Sequence, residues 1–178
     1  MFSSILLSMF MLAAQEPVEA SAPTAVEILD ASYQAAMADY YEKFDAIMNE
    51  SGDFTDLEHP IETYFDQFRA FAKNANIPRS ERANAQIWCV ENFGEKNWAH
   101  PDKVFSGLAK LFTSEFADSD YALEFTAAVR WVRTGVSFKI EVIEALSNAT
   151  NSEAVKAHCM LACAYAYADS DDQKMADT

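Results

Sequence analysis

From Thr24 onward, apolar residues return every three or four positions, and the stretches that do so are separated by short polar breaks containing glycine or proline. That period is the signature of amphipathic helices. Val26, Leu29, Tyr33, Ala36, Met37, Tyr40, Phe44, Ile47 and Met48 lie on one stripe and predict a long first helix over 24–50. Thr24 and Glu27 form a capping box at its start, in which each side chain can bond the other's backbone N–H. After a polar loop at 51–59, Pro60 suits a first helical turn. Ile61, Tyr64, Phe65, Phe68, Phe71, Ala72 and Ala75 give that helix an aromatic face. Asn76-Ile77-Pro78 breaks it, and Ser80 caps a further helix running to Gly94 with Ala83, Ile87, Trp88 and Val90 inward.

His100-Pro101 repeats the start seen at His59-Pro60 and opens a helix carrying Val104, Phe105, Leu108, Leu111, Phe112 and Phe116. Ser119 and Asp120 start the next, with Leu123, Phe125, Val129 and Val132 inward and Gly135 closing it. Ser137 to Leu146 and Ser152 to about Ala168 make a last pair. First helices thus begin near 60, 101 and 137, and second helices begin at Ser80, Ser119 and Ser152, each serine followed by an acid. Three hairpins over about 60–169, recurring every 33 to 41 residues, fall in the range of tetratricopeptide and HEAT arrays. No single hairpin can hide its apolar face, so neighbours must stack as an irregular solenoid. A compact helical bundle is the alternative, because it gives similar spacing. Strictly alternating β-branched runs are absent, and three of the four glycines (Gly52, Gly94, Gly135) fall where a periodic stretch stops. The fold class is all-α, with residues 21–178 forming one helical domain.

The first twenty residues read as an address. The apolar run Ile5–Ala14 is too short for a bilayer, which needs about 20 apolar residues, and suits the core of a signal peptide. Cleavage is expected after Ala14 or Ala20, although no Lys or Arg precedes the run. Export to the periplasm or the extracellular space follows.

Charge narrows the partners. The chain carries 28 acids against 13 bases, a net −15, and removing 1–20 leaves 26 acids and −13. Phosphate backbones and anionic membranes are recognised by clustered Lys and Arg, and no basic stripe exists here. Nucleic acid is excluded as a partner, and so is the membrane once the signal is cleaved. With 51% apolar residues the chain has the material for a core, and a chain of this length buries roughly 70% of its unfolded surface.

Candidate chemistry is sparse. Of the cysteines Cys89, Cys159 and Cys163, the last two are four apart on one helix face with His158 beside them. Such a thiol pair can hold part of a soft-metal site, or else packs as small apolar residues in an Ala-rich helix. An exported chain with three cysteines leaves one thiol unpaired or bridged to another chain. Trp88-Cys89-Val90-Glu91-Asn92 has the WC of a thioredoxin site, with Asn92 where the second thiol belongs and a helical context in place of a strand. His59 and His100 precede prolines at helix starts. Acids cluster at Asp53/Asp56/Glu58, at Asp118/Asp120 and at Asp169/Asp171/Asp172, the last resembling the start of a calcium loop without its glycine or terminal Glu. Phosphate loops, GxSxG elbows and HExxH are absent, so no catalytic residue and no cofactor are expected. Asn49-Glu50-Ser51 and Asn148-Ala149-Thr150 are glycosylation sequons in a eukaryotic setting.

The spacer after the signal, the helix Ser80–Phe93 with Ala85, Ile87 and Trp88, and the Ala-rich Ser152–Ala168 helix together resemble the helical region preceding the thioredoxin-like domain of exported bacterial redoxins (TlpA-like proteins). The resemblance spans Ile77 to Ala168. That family's reactive CxxC pair has no counterpart in these 178 residues, so the resemblance implies an accessory module, or a truncated relative, rather than an oxidoreductase, and carries over no catalytic residue. The expected function is a non-enzymatic module binding a protein or peptide, with Tyr41, Trp98 and Tyr167 as candidate anchors. The alternatives are a thiol or metal protein using Cys159 and Cys163, and a small-molecule site among the aromatics of 60–75 and 101–116.

Overall fold

The computed structural model describes residues 22–50, 52–132 and 134–176, with side chains as far as Ala168; the expected signal segment lies outside them. Seven α-helices make up the described fold: α1 (Ala25–Glu50), α2 (Ile61–Lys73), α3 (Arg79–Glu91), α4 (Pro101–Phe116), α5 (Tyr121–Trp131), α6 (Val136–Ala149) and α7 (Glu153–Ala176). A 3-10 turn at Phe93–Glu95 follows α3. Among the described residues there is no strand. The protein is all-α.

The helices fall near where the pattern put them: α2 packs along α3 and α6 along α7, whereas α4 lies chiefly against α3 and α6 and meets α5 through the ring of Phe112 on Phe125. One layer runs α3, α5, α7; in the other α4 lies beside α6, with α2 closing the first hairpin against α3. Across this array α1 rests on α2 and α3. One continuous core runs from Val26 to Ala162, and its largest wholly enclosed side chains are Phe65, Phe68, Phe93, Phe105, Phe112, Phe116 and Phe125. Rings seal the two inner joints. Phe68 stacks on Trp88 with centroids 3.6 Å apart, and Phe112 stacks on Phe125 at 3.9 Å. These rings are enclosed in the interior; among the described residues the outer sides of the same two helices border shallow depressions, one where Gln67 and Phe71 meet Leu29 of α1 and one where Ala109 and Thr113 meet Phe138 and Val142 of α6.

The start of α1 is capped as expected. Glu27 N donates to Thr24 Oγ1 (3.3 Å) and Thr24 N to Glu27 Oε2 (2.7 Å). The Ser-acid starts behave differently from one another. Ser152 Oγ accepts from Val155 N at 3.4 Å and caps α7. Ser80 lies inside α3, which begins at Arg79 because the extended Pro78 needs no N–H partner and hands the chain directly to the first turn. Ser119 turns the other way, its hydroxyl donating to the Phe116 carbonyl (2.6 Å) at the end of α4. Other departures are small. Leu123 and Met48 are exposed, α2 stops before Ala75, α5 ends at Trp131, Gly135 stands at the start of α6, and α7 continues past Ala168.

Polar clasps tie the corners together. Arg82 Nε donates to the Ala72 carbonyl at the end of α2 (3.1 Å) while its guanidinium pairs with the Glu115 carboxylate; Arg79 donates to the Glu115 carbonyl. Cations placed at the C-terminal turn of α4 meet its negative end. One hairpin further on, Asp118 accepts from Thr150 Oγ1 (3.1 Å), Asn151 N and Asn151 Nδ2 (3.0 Å). The backbone bond from Asn151, then its side chain and Thr150, hold the Asp118 carboxyl below the usual carboxylate range. Gln86 is the discordant residue. It is wholly buried in α3, and neither amide atom finds a partner among the described residues.

Asp118→Ala removes the second clasp and should lower the urea midpoint at neutral pH. Because the folded carboxyl titrates below the unfolded one, its contribution is present above the ordinary Asp pKa and disappears as pH falls through the folded value; the difference between variant and wild type should therefore close on acidification. Gln86→Met removes the two unpaired amide atoms at similar volume and should raise the unfolding free energy by about 1 kcal/mol, read as a higher midpoint at unchanged slope in urea.

Candidate functional site

The thiols come first, because the sequence singled them out. α7 is placed by its inward seam Val155, Cys159, Ala162 and Ala166, all buried against its neighbours α5 and α6. Cys159 is 1% exposed, and its Sγ lies 3.8 Å from the hydroxyl of buried Thr126 on α5. Burial raises the Cys159 pKa, partly offset by Thr126. Cys163, one turn on, is half-buried; burial, then Glu144, then Cys159 raise it too. Reaction and metal binding both need the thiolate, which these surroundings disfavour. His158 lies about 100° around the helix from Cys159. Among the described residues no group of three or more His, Cys, Asp or Glu stands close enough to hold a metal ion.

Cys89 sits in the last turn of α3, fully buried, its pKa driven far up by burial. Asn92, in the place of a thioredoxin's second cysteine, ends the helix and donates Nδ2 to the Trp88 carbonyl at 2.9 Å. No strand leads into it. All three cysteines are free thiols. His59 donates nothing to a site: its ring packs at 4.7 Å on Tyr40, and Nδ1 accepts from Ile61 N at 3.2 Å.

The acidic clusters also find structural places. Asp53 binds Thr55 in the loop after α1, Asp118 is the corner clasp, and Asp169, Asp171 and Asp172 stand on the helical backbone of α7, where no calcium loop can form. Thr150 of the second sequon is buried, its hydroxyl given to Asp118. A set of acids that linear reading missed comes together from three helices. Glu27, Asp30, Glu91 and Glu124 rim a depression of about 290 Å³ floored by Val26, Phe68, Ile87 and Trp88. Asp30 accepts from Trp88 Nε1 (2.9 Å), which docks α1 on α3. Partial burial, then Asp30 and Glu124, raise the Glu91 pKa.

The three candidate anchors separate. Trp98 is half-buried: its ring stacks on Phe93 (5.2 Å), meets Phe65 edge-on (4.7 Å), and donates Nε1 to the Phe93 carbonyl (2.9 Å). Tyr41 and Tyr167 are both 56% exposed. Tyr167 has company. Met160 (68% exposed), Leu161 (50%) and Tyr165 (42%) lie on the outer side of α7, and Trp131 (74%) stands beside them, its ring and that of Tyr165 both against the Arg130 guanidinium at 4.8 and 3.9 Å. Among the described residues no helix is long and apolar enough to cross a membrane.

Compared with known proteins, the chain matches no family model, no curated protein and no solved structure.

If the cysteines are packing residues, a thiol-reactive dye at neutral pH should leave Cys89 and Cys159 untouched in the folded protein, label Cys163 slowly, and label all three at once in denaturant. Rapid labelling of Cys159 under native conditions would restore the thiol reading.

Proposed function

We propose that this protein is an exported, non-enzymatic interaction module that binds another polypeptide through the outer face of α7. One observation carries the reading. Of the twelve residues Ala157–Ala168, seven are exposed, yet the only polar groups among the twelve side chains, the thiols aside, are His158 and two tyrosine hydroxyls. A helix on the outside of a globular protein keeps a polar face toward water, whereas one that is apolar all round is a buried helix. α7 has its inner seam covered by α5 and α6 and its outer side in water. Contiguous exposed apolar surface of this kind marks an interaction site, and Trp and Tyr are the side chains that most often anchor one.

Supporting features point the same way. Burial raises the pKa of Cys159 and Cys163 and so disfavours their thiolates, and the acidic charge of −15 turns away phosphate and anionic lipid. The apolar run Ile5–Ala14 supports export.

A photo-reactive amino acid placed at Leu161 should form covalent adducts with a polypeptide in the producing cells, while the same residue at exposed Glu42 on α1 should not. Absence of adducts from Leu161, or equal yields from both positions, would overturn the proposal.

A further inference from the structure

We infer that the polypeptide covering α7 is a second copy of this chain, paired helix to helix about a two-fold axis near Leu161. The inference rests on the reading of α7 as an interaction face and names its occupant.

The outer side of α7 is a seam. Ala154, Ala157, Leu161, Ala164 and Ala168 are all exposed and follow one another at alternating steps of three and four. That is the spacing by which one helix packs along another. The inner seam, Val155, Cys159, Ala162 and Ala166, lies roughly 150° around the helix and is already filled. α7 therefore carries two packing stripes and uses one.

Three properties of the free stripe select a second copy. Its composition, Ala-Ala-Leu-Ala-Ala, reads the same from either end. An antiparallel partner with the same stripe then sets Leu161 against its counterpart and Ala154 opposite Ala168, with Ala157 and Ala164 within one residue of facing each other. Self-complementarity of this kind is what a two-fold interface demands, and the alanines let the two backbones approach closely.

Charge is the second property. Two copies of a chain at −15 repel across most of their surfaces, but Ala154–Ala168 contains no carboxylate, and its one lysine, Lys156, is paired with Glu153 at 2.9 Å. Two acidic molecules meeting along Ala154–Ala168 therefore set no acid against acid within that stretch, and Glu153 and Asp169 fall only at its two ends. Area is the third. With aromatics burying 150–250 Å² each, Trp131, Tyr165, Met160, Leu161 and the alanines would remove about 1,000 Å² in total from two copies. That lies at the lower limit of specific interfaces, so the dimer should be reversible and micromolar.

Sedimentation velocity of the full chain across the micromolar range should show one mass passing to two with rising concentration. Leu161→Lys, which sets two cations face to face on the axis of a half-exposed position, should weaken the dimer at least tenfold with the helical circular dichroism unchanged. Glu42→Lys on α1 should leave dimerisation as it is. The photo-reactive residue at Leu161 should give adducts of twice the chain mass from purified protein. A chain that stays monomeric throughout, with adducts only to a different polypeptide in cells, would overturn the inference and leave the interaction reading standing. No adducts in either setting would overturn both.

Discussion

Every helix of this protein carries an apolar stripe that only another helix can cover, and the structure follows from satisfying that demand one hairpin at a time. The stacked pairs Phe68–Trp88 and Phe112–Phe125 are where it is met most fully, because each joins the two helices of a hairpin across a flat ring face. Large rings at these joints hold the layers at a fixed separation. Stacking then leaves the last member with fewer neighbours: among the described residues α7 lies against α5 and α6 and keeps its outer side exposed, whereas α1 covers the opposite end on α2 and α3.

Directional bonds set the angle at which hairpins succeed each other. Apolar contact alone tolerates sliding, since one alkyl surface is much like the next. Arg82 reaching both the Ala72 carbonyl and Glu115, and Asp118 reaching Thr150 and Asn151, each fix one corner relative to the next. Both sit at the turn between the two helices of a hairpin, where backbone groups lack helical partners. α1 is located in the same manner, by Trp88 Nε1 on Asp30 and by the Tyr64 hydroxyl on the Ser32 carbonyl at 3.1 Å.

Chemistry and architecture exclude each other at the residues that first drew notice. Cys159 and Cys163 lie one turn apart because both serve a helix packed on its neighbours, and the burial that makes them good core residues withholds the thiolate that reactivity needs. Cys89 is a stronger instance, enclosed in the first hairpin. Free cysteines buried in helices behave as small apolar groups.

Helix positions and the capping box at Thr24 were legible in the sequence alone, since period, breaker and cap are local properties in which a residue interacts with neighbours within one turn. Local signals misled where two helix ends compete for one side chain: Ser119 lies between α4 and α5, and its hydroxyl serves the Phe116 carbonyl at the end of α4. The acids around the α1, α3 and α5 depression were invisible in the linear chain because they lie far apart along it. Only tertiary structure could decide which side of an apolar helix is covered. Trp98 looks as exposed as Tyr167 in the sequence, yet a ring is hidden or bare according to whether a neighbour's ring reaches it, as Phe93 reaches Trp98. In α7 the sequence supplies two apolar seams, and the order of stacking, which depends on all the hairpins before it, selects the one turned inward.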